Sequence, residues 1–313
     1  MKNLVTIVVV NWNSGVQLNT CLRSIREHGN GYVSEVIVVD NGSVDGSARC
    51  ASDYQDVELI LTGQNLGFGK ACNLGACAAK SQYLLFLNPD AALFDHTLGA
   101  AVSAMEDPSN SQVGICGVQL VDELGVLSKT CSRFPSACGF VSHSLGLDRW
   151  LPQSGIVMAE WDHSDTREVD QIIGAFFFVR RDLFESLHGF DERFFVYFEE
   201  VDFSFRALQL GWSSLYLANG QAFHAGGGTS NQIKARRLFY SLRSRVLYIF
   251  AHFSLGSTVS ALIATLLVEP VARFALALAR GSWIQLKEAF LAYGMLSRWL
   301  IQIAVTKRAR KIE

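Results

Sequence analysis

Residues 83–90 read Tyr-Leu-Leu-Phe-Leu-Asn-Pro-Asp, a short apolar run that ends in a carboxylate. A continuous apolar run of this length is typical of a strand buried on both faces of a parallel sheet. Pro89 fixes the backbone after the run, so the strand would deliver Asp90 to the edge of the sheet. Ligands of open α/β sheets bind at this edge, and an acid there can hold a divalent cation. Taken alone, Asn-Pro-Asp is also good turn chemistry.

Other apolar runs along the chain alternate with helical patterns. Strands are predicted over residues 4–10, 35–39, 57–61, 172–179 and 212–217. Helices are predicted over residues 16–28, 70–79 and 183–187, with a further helix starting near Asp45. Strands that alternate with helices indicate a mostly parallel sheet with helices on both faces. The predicted fold class is therefore α/β.

Charge is distributed unevenly along the 313 residues. Residues 1–233 contain 14 Lys+Arg and 26 Asp+Glu, a net −12, whereas residues 234–313 contain 13 and 3, a net +10, which gives the total of −2. The seven cysteines form no Cys-x-x-Cys pair, and we expect no export segment before the first strand, which begins near residue 4. We therefore expect free thiols, a cytoplasmic location and no nucleic-acid partner, since no nucleic-acid motif is present.

The basic C-terminal part is also apolar. Val246–Val268 is 23 residues without Lys, Arg, Asp or Glu, long enough to cross a bilayer, and Glu269-Pro270 is expected to end it. The predicted organisation is a catalytic domain over 1–233 and a helical, membrane-associating tail over 234–313. Amphipathic helices lying on an anionic leaflet fit this tail best. A spanning helix and packing against the domain or a partner subunit are the alternatives.

A second acidic segment lies at residues 194–206. It places Glu199, Glu200 and Asp202 among aromatic side chains. Burial there would raise a carboxyl pKa and produce a base that works near neutral pH. Arg206 follows Asp202 by four residues, so the two can pair on a helix. The alternative is a solvated helix start, where acids are favoured by the helix dipole.

Together these segments resemble the inverting GT-A glycosyltransferases of family 2, and most closely their bacterial rhamnosyltransferase-like branch. The resemblance covers about residues 4–230 and is carried by residues 8–13, 38–43, 65–75, 88–90, 174–181, 194–206 and 224–227. It implies the GT-A (nucleotide-diphospho-sugar transferase) fold. It also implies a metal-dependent, inverting transfer of a sugar, with L-rhamnose from dTDP-L-rhamnose favoured, in bacterial cell-surface polysaccharide assembly.

The resemblance also assigns roles to single residues. Asp90 and His224 match a metal site for Mg²⁺ or Mn²⁺, although Asn88 replaces the first acid of the family's Asp-x-Asp motif. Glu200 matches the general base, which is often Asp in relatives, with Glu199 and Asp202 as reserve candidates. The implied donor-binding residues, among which Asp40 meets the donor's pyrimidine base, are Asn11, Asn13, Asp40, Asn65, Gly67, Lys70, Asn73, Asn88 and Asp90. By themselves, Asp40 could be a helix cap and His224 a core histidine.

The implied partners are a dTDP- or UDP-sugar donor, a polyprenyl-diphosphate-linked glycan acceptor whose hydroxyl is glycosylated, and anionic lipid. The protein would be peripheral on the inner face of the cytoplasmic membrane. The candidates to meet the lipid diphosphate are Arg236, Arg237, Arg243 and Arg245. A homo-oligomer is left open.

Three alternative functions were weighed. A polyprenyl-phosphate sugar synthase of the same fold and a non-catalytic sugar-nucleotide-binding assembly subunit stay open. A nucleotidyltransferase would need a basic loop after the first strand, and Asn11–Gly15 contains no Lys or Arg.

Overall fold

The structure is a computed structural model that describes residues 4–29, 31–226 and 234–309. The strands are β1 (Val5–Asn11), β2 (Val33–Asp40), β3 (Val57–Leu61), β4 (Tyr83–Leu87), β5 (Ala91–Leu93), β6 (Val113–Val121), β7 (Leu127–Ser128), β8 (Cys131–Ser132), β9 (Arg167–Val169), β10 (Gln171–Ile172), β11 (Phe176–Arg180) and β12 (Ser213–His224). The helices are α1 (Gln17–His28), α2 (Phe68–Ala78), α3 (Thr97–Glu106), α4 (Ala137–Leu145), α5 (Arg181–Ser186), α6 (Glu199–Gln209), α7 (Lys234–His252), α8 (Leu255–Ile263), α9 (Glu269–Ala279) and α10 (Trp283–Ala309).

The chain forms two compact units. One contains residues 1–134 and 157–229, and the other contains residues 135–156 and 230–313. The first unit is built on one large sheet in the order β3-β2-β1-β4-β11-β6-β12-β5. Strands β3, β2, β1 and β4 are parallel, and β11 runs antiparallel between β4 and β6. This mixed, mostly parallel sheet confirms the predicted α/β class.

Both faces of the sheet are buried, which explains the continuous apolar runs. Along β1, Val5, Ile7 and Val9 pack into a core that includes residues of α1 and α3. Val8 and Val10 point to the opposite face and join a second core with residues of α2, α5 and α6. Successive side chains of a strand alternate between the faces, so a strand covered on both sides is apolar at every position.

Strand register gathers the polar strand ends at one edge. Asn11 at the end of β1 pairs with Asp40 at the end of β2. Because β11 runs antiparallel to β4, Gly174 and Ala175, which precede β11, lie beside Asn88 at the end of β4, and Asn88 N donates to Ala175 O at 3.0 Å. The edge thus collects residues that are far apart in sequence.

Three predicted elements differ from the structure. The strand predicted over 172–179 is two strands: β10 pairs with β8 in a small separate sheet, and β11 joins the main sheet. The helix predicted near Asp45 is a 3₁₀ segment, Ser47–Asp53. The last strand continues past residue 217 to His224, through a shift in its register against β6 between Leu217 and Gln221. That extension carries a predicted site residue.

The second unit contains α4 and α7–α10. The sequence analysis placed residues 135–156 in the catalytic domain, but the structure groups them with the C-terminal helices. Phe140 of α4 is fully buried and lies 5.9 Å from Phe253 between ring centroids. The predicted boundary at 233/234 itself borders residues 227–233, which lie outside the described residues.

Val246–Val268 is not one helix, because α7 ends at His252 and the next helical run is Leu255–Ala279. This run passes through Glu269-Pro270, so the prediction that these residues end the helix is wrong. A π turn over Ala264–Val268 precedes Pro270, which sits in the first turn of α9. Widening the helix there accommodates a residue that has no N–H and a bulky ring. By length and composition, Leu255–Ala279 is the one run in the described chain apolar enough to cross a membrane.

Candidate active site

A buried hydrogen-bond network fixes the ends of β1 and β2. Asn11 Nδ2 donates to Asp40 Oδ1 at 2.7 Å and to Ser47 Oγ at 2.9 Å. The other carboxylate oxygen of Asp40 accepts from the backbone N–H of Ser43 at 3.1 Å. Asn13 has a positive φ of 50°, and its side-chain oxygen accepts from Val44 N at 2.8 Å. The predicted donor-binding residues Asn11, Asn13 and Asp40 therefore lie together.

Asn41 joins this edge to the next loop, and the sequence analysis did not single it out. Its side chain is buried and donates to Asn65 Oδ1 at 3.1 Å and to Gly67 O at 3.2 Å. Its own oxygen accepts from Leu66 N at 2.8 Å. The signal in the sequence is its place directly after Asp40, in a polar turn that follows a buried strand.

Gly67 lies where the loop before α2 meets residues 194–198. Its φ is 91°, and a Cβ at this position would lie 2.5 Å from the carbonyl oxygen of Phe195. The next N–H, that of Phe68, donates to the same carbonyl at 2.7 Å. The loop before α2 and the segment that leads to the acidic helix are therefore held in direct backbone contact.

We expect Gly67→Ala to lower stability by about 1–3 kcal/mol from backbone strain alone, with a further cost from the clash with Phe195. The measurement is the midpoint of urea unfolding. The control is Gly63→Ala, which has a similar positive φ of 71° but no atom within 4 Å of its Cβ. Equal losses for the two variants would contradict a tight contact between Gly67 and Phe195.

Two predicted donor-binding residues of α2 are engaged within the first unit. The amide of Asn73 donates to Phe190 O at 2.8 Å and accepts from Phe190 N at 2.9 Å. Lys70 Nζ forms a half-exposed ion pair with Glu192 at 3.0 Å. Asn73 thus anchors the chain around Phe190, which packs beneath the acidic helix.

Asp90 and His224 are brought together by strand pairing. Their neighbours pair when β5 returns antiparallel to β12, with Ala91 opposite His224. Asp90 Oδ1 lies 3.4 Å from His224 Nε2, and each side chain is about one-tenth exposed. Ala225 N also donates to Asp90 O at 3.0 Å. The structure therefore joins the two predicted metal ligands across 134 positions of sequence (224 − 90).

The carboxylate of Asp90 and the imidazole of His224 are suitable ligands for a divalent cation that also binds a substrate. Within the described ranges, no group of three His, Cys, Asp or Glu side chains is arranged to hold a metal. Asp90 and His224 alone would leave most coordination positions of Mg²⁺ or Mn²⁺ to phosphate oxygens and water. Such sparse protein ligation is usual for cations that bind with substrate phosphates. Asn88 contributes through its backbone, since its carbonyl accepts from Ala91 N at 3.0 Å and fixes the turn.

The acidic helix α6 begins after two residues in unusual conformations. Tyr197 and Phe198 have φ values of 66° and 71°, a region that bulky residues rarely adopt. Such strain persists only where the surroundings hold it, and it is concentrated at functional sites. It starts α6 directly at Glu199, so Glu199 and Glu200 occupy the first turn.

Glu199 and Glu200 point to different neighbours. The Cβ of Glu199 lies 3.4 Å from the position a Cβ on Gly69 would take, so Glu199 faces α2. The side chain of Glu200 lies 3.9 Å from the corresponding position at Gly174, at the edge beside Asn88. Each has a buried Oε2 without a hydrogen-bond partner. Glu200 is therefore the acid that faces the edge carrying Asp90.

Burial raises the pKa of both carboxyls, and for Glu199 the charge of Glu200 raises the pKa further. The backbone N–H groups of Val201 and Gly174 act in the opposite direction on the pKa of Glu200. A partly exposed glutamate with a raised pKa and an unpartnered oxygen has the properties of a general base.

Asp202 has a structural partner. Arg206 Nε donates to Asp202 Oδ2 at 2.7 Å, which confirms the predicted pairing on a helix. Arg206 also donates to the carbonyls of Leu187 at 2.8 Å and Gly189 at 3.0 Å. This ion pair anchors α6 to the chain after α5, so Asp202 positions the helix that carries Glu200.

The four arginines proposed for the lipid diphosphate lie in different environments. Arg236 and Arg237 are exposed. Arg245 is buried, forms an ion pair with Glu269 and lies 5.0 Å from the ring centroid of Phe140. Arg243 lies over the ring of Trp299 at 5.5 Å. Arg245 is thus engaged inside the second unit.

The model of the family described as Glycosyl transferase family 2 matches residues 6–187. N-acetylglucosaminyl-diphospho-decaprenol L-rhamnosyltransferase of Mycobacterium tuberculosis is 27% identical over 263 residues, which cover 80% of this chain and 85% of that protein. Rhamnosyltransferase WbbL of Escherichia coli is 25% identical over 256 residues, which cover 79% of this chain and 92% of that protein.

Among solved structures, mannosyltransferase PcManGT from Pyrobaculum calidifontis, in complex with GDP-Man and Mn²⁺, aligns with a TM-score of 0.55. The alignment covers 100% of this chain and 81% of that chain at 19% identity. At this identity the likeness establishes the shared GT-A-like fold alone.

Proposed function

The chain belongs to glycosyl transferase family 2, and from this premise we propose that it transfers L-rhamnose from dTDP-L-rhamnose to a hydroxyl of a polyprenyl-diphosphate-linked glycan, with inversion. The observation that carries the proposal is one edge of the sheet, where Glu200 of α6 lies beside Gly174, just before β11. Asp90, which follows β4, lies beside His224 at the end of β12. The names of the M. tuberculosis and E. coli relatives support the sugar, and that of the former supports the acceptor.

Glu200 supplies the base in this proposal. Its carboxylate, which is partly exposed, accepts the proton of the acceptor hydroxyl as the hydroxyl oxygen attacks the anomeric carbon. The bond from this carbon to the diphosphate oxygen breaks in the same step, and the nucleoside diphosphate leaves. One in-line displacement inverts the anomeric configuration, whereas retention would need a covalent intermediate of the kind that two-step glycosidases form.

Asp90 and His224 would hold Mg²⁺ or Mn²⁺. When bound, the cation neutralises charge that develops on the departing diphosphate. Asp40, oriented by Asn11, meets the pyrimidine base, and the loop after Asn65 brings backbone N–H groups to the phosphates. The network around Asn41 keeps these two parts of the donor site in register.

The acceptor places the reaction at a membrane. We propose that the protein acts at the inner leaflet of the cytoplasmic membrane, where its basic C-terminal helices meet anionic lipid. Arg236 and Arg237 are exposed, and in this proposal they meet the lipid diphosphate. Both side chains match phosphate geometry through paired N–H donors.

Donor binding tests the proposed substrate directly. The purified protein is heated with dTDP-L-rhamnose, UDP-glucose, UDP-GlcNAc, UDP-galactose or GDP-mannose, each with Mg²⁺, Mn²⁺ or EDTA. A ligand at 100 times its Kd stabilises the native state by about 2.7 kcal/mol, which moves the unfolding midpoint by several degrees. We expect the largest metal-dependent shift with dTDP-L-rhamnose. A larger shift with another sugar nucleotide would overturn the donor assignment.

A further inference from the structure

The segment between β8 and β9 carries a small apolar tip. Helix α4 ends at Gly146, whose φ is 69°, and two short 3₁₀ turns follow, Leu147–Arg149 and Pro152–Ser154. We call residues 145–151 the apolar tip. It belongs to the second unit, together with the C-terminal helices, although 73 residues of sequence (157–229) separate the two parts.

Side-chain hydrogen bonds hold this tip in a defined shape. Ser136 caps the start of α4 by accepting from Gly139 N at 3.0 Å. His143 Nδ1 lies 2.8 Å from Asp148 Oδ2, which ties the end of α4 to the first turn. Ser142 and Ser154 hydroxyls lie 2.6 Å apart and close the base of the tip. These hydrogen bonds stabilise the conformation of the apolar tip.

The apolar tip exposes large apolar side chains to solvent. Trp150 is 86% exposed and Leu151 is 62% exposed, and Leu145 and Leu147 are also exposed. Single exposed apolar residues are ordinary, but four within seven residues, including a tryptophan, indicate an interaction surface. Tryptophan and leucine are the side chains that amphipathic segments place at the boundary of headgroups and acyl chains.

The charge of the second unit identifies the partner. Residues 135–156 contain one Arg and one Asp, and residues 230–313 contain 13 Lys+Arg and 3 Asp+Glu, so the unit carries 14 positive and 4 negative groups, a net +10. A basic unit with exposed apolar side chains complements an anionic bilayer. The start of α10 adds exposed Trp283 and Ile284 to the same unit.

We propose that the apolar tip is a second membrane contact, which inserts Trp150 and Leu151 into the interface of an anionic bilayer in addition to the C-terminal helices. The inference rests on the proposed function in one respect, namely that a lipid-linked acceptor requires a membrane-bound enzyme.

Vesicle partitioning of the full chain tests the tip. The double variant Trp150→Gln/Leu151→Gln is compared with the unmodified protein on phosphatidylcholine vesicles with and without 30% phosphatidylglycerol. We expect the partition coefficient on anionic vesicles to fall on the order of tenfold or more, because two inserted apolar side chains are lost. The matched control is Leu124→Gln, a residue that is 86% exposed in the first unit, and it should partition normally.

A second readout locates Trp150. Brominated acyl chains should quench the fluorescence of the unmodified protein more strongly than that of Trp150→Phe. Unchanged partitioning of the double variant, or equal quenching of the two proteins, would overturn the proposal. A double variant that partitions normally but dissociates a dimer in sedimentation velocity would assign the tip to a second copy of the chain instead.

The test separates this inference from the proposed function. Donor-induced thermal shifts and transfer to a short-chain acceptor in detergent do not need a bilayer, so the double variant should retain both. Loss of partitioning with these retained supports the tip. A failure of donor binding in the unmodified protein would contradict the proposed function, whereas the partitioning result could still be interpreted because it does not depend on the donor.

Discussion

Glu200→Gln is expected to reduce kcat by about 10²–10⁴-fold, the usual contribution of a general base, while donor affinity changes little. Glutamine keeps the shape of the side chain but cannot accept the proton of the acceptor hydroxyl. Glu200 is the acid of α6 that faces the edge near Gly174, and its buried Oε2 has no hydrogen-bond partner. Single-turnover transfer with saturating donor measures the effect, and the thermal shift with donor measures binding.

Glu199→Gln is the matched control, since Glu199 is adjacent, buried and faces α2. Burial and the neighbouring Glu200 charge favour its neutral form, which glutamine resembles, so we expect a change in kcat of less than about tenfold. If Glu199→Gln removes activity and Glu200→Gln keeps it, the base is Glu199.

The pH dependence of kcat/KM tests independently whether Glu200 is the general base. A base works only when it is unprotonated, and burial raises the pKa of Glu200. Transfer should therefore decline as the pH is lowered through this raised pKa, at a higher pH than an ordinary glutamate would produce. The decline should persist in Glu199→Gln.

Asp90→Asn is expected to remove the metal dependence of donor binding and to lower kcat/KM on the order of 10²–10³-fold, the scale of one lost group that stabilises developing charge. Asparagine keeps the size of the side chain but loses the negative charge that pairs with a cation. The structure places Asp90 3.4 Å from His224, so the two contribute to one site. Titration of donor at fixed Mn²⁺ and in EDTA measures the change.

The control for this substitution is Asp95→Asn, an exposed acid five residues further along the chain. It should bind donor and metal normally. Metal-dependent donor binding that survives unchanged in Asp90→Asn would place the cation elsewhere and contradict the assigned site.

Much of the fold could be predicted from the sequence where the signal is local. Strands β1, β2 and β4 contain stretches that are buried on both faces, namely residues 7–10, 36–39 and 83–87, and each of these apolar stretches is followed directly by a polar residue. The rule that ligands bind at the carboxyl ends of parallel strands then singles out Asp40 and Asp90. The placement of Glu200 and His224 came from the family resemblance.

The features that were missed depend on contacts between distant residues. Strand β6 contains Gly114, Gly117 and Gln119, which interrupt the apolar pattern of an internal strand. A Cβ on Gly117 would lie 2.3 Å from Ile172, so the glycine permits a close approach that no local pattern reveals. The ring contact between Phe140 and Phe253 is equally invisible to a local pattern, because the two residues are 113 positions apart (253 − 140).

Local rules also gave a wrong prediction at Pro270. A proline is expected to end a helix, but the π turn before Pro270 accommodates a residue that has no backbone N–H. In addition, Glu269 is buried and forms ion pairs with Arg245 and Arg273. The pair with Arg273 is local, within α9, and the pair with Arg245 joins α9 to α7. Together they support a helix that continues through Pro270. Whether the helix continues through Pro270 therefore depends on packing within the second unit, which intrinsic helix propensity does not predict.

The central claim is an inverting rhamnosyl transfer, and the anomeric configuration of the product tests it most directly. The full chain is incubated with dTDP-L-rhamnose, Mn²⁺ and GlcNAc-diphosphoryl polyprenol in vesicles, and the glycolipid is examined by NMR. We predict one new rhamnosyl linkage with the anomeric configuration opposite to that of the donor. A product with retained configuration, or rhamnose found only on polyprenyl phosphate supplied without the glycan, would contradict the account.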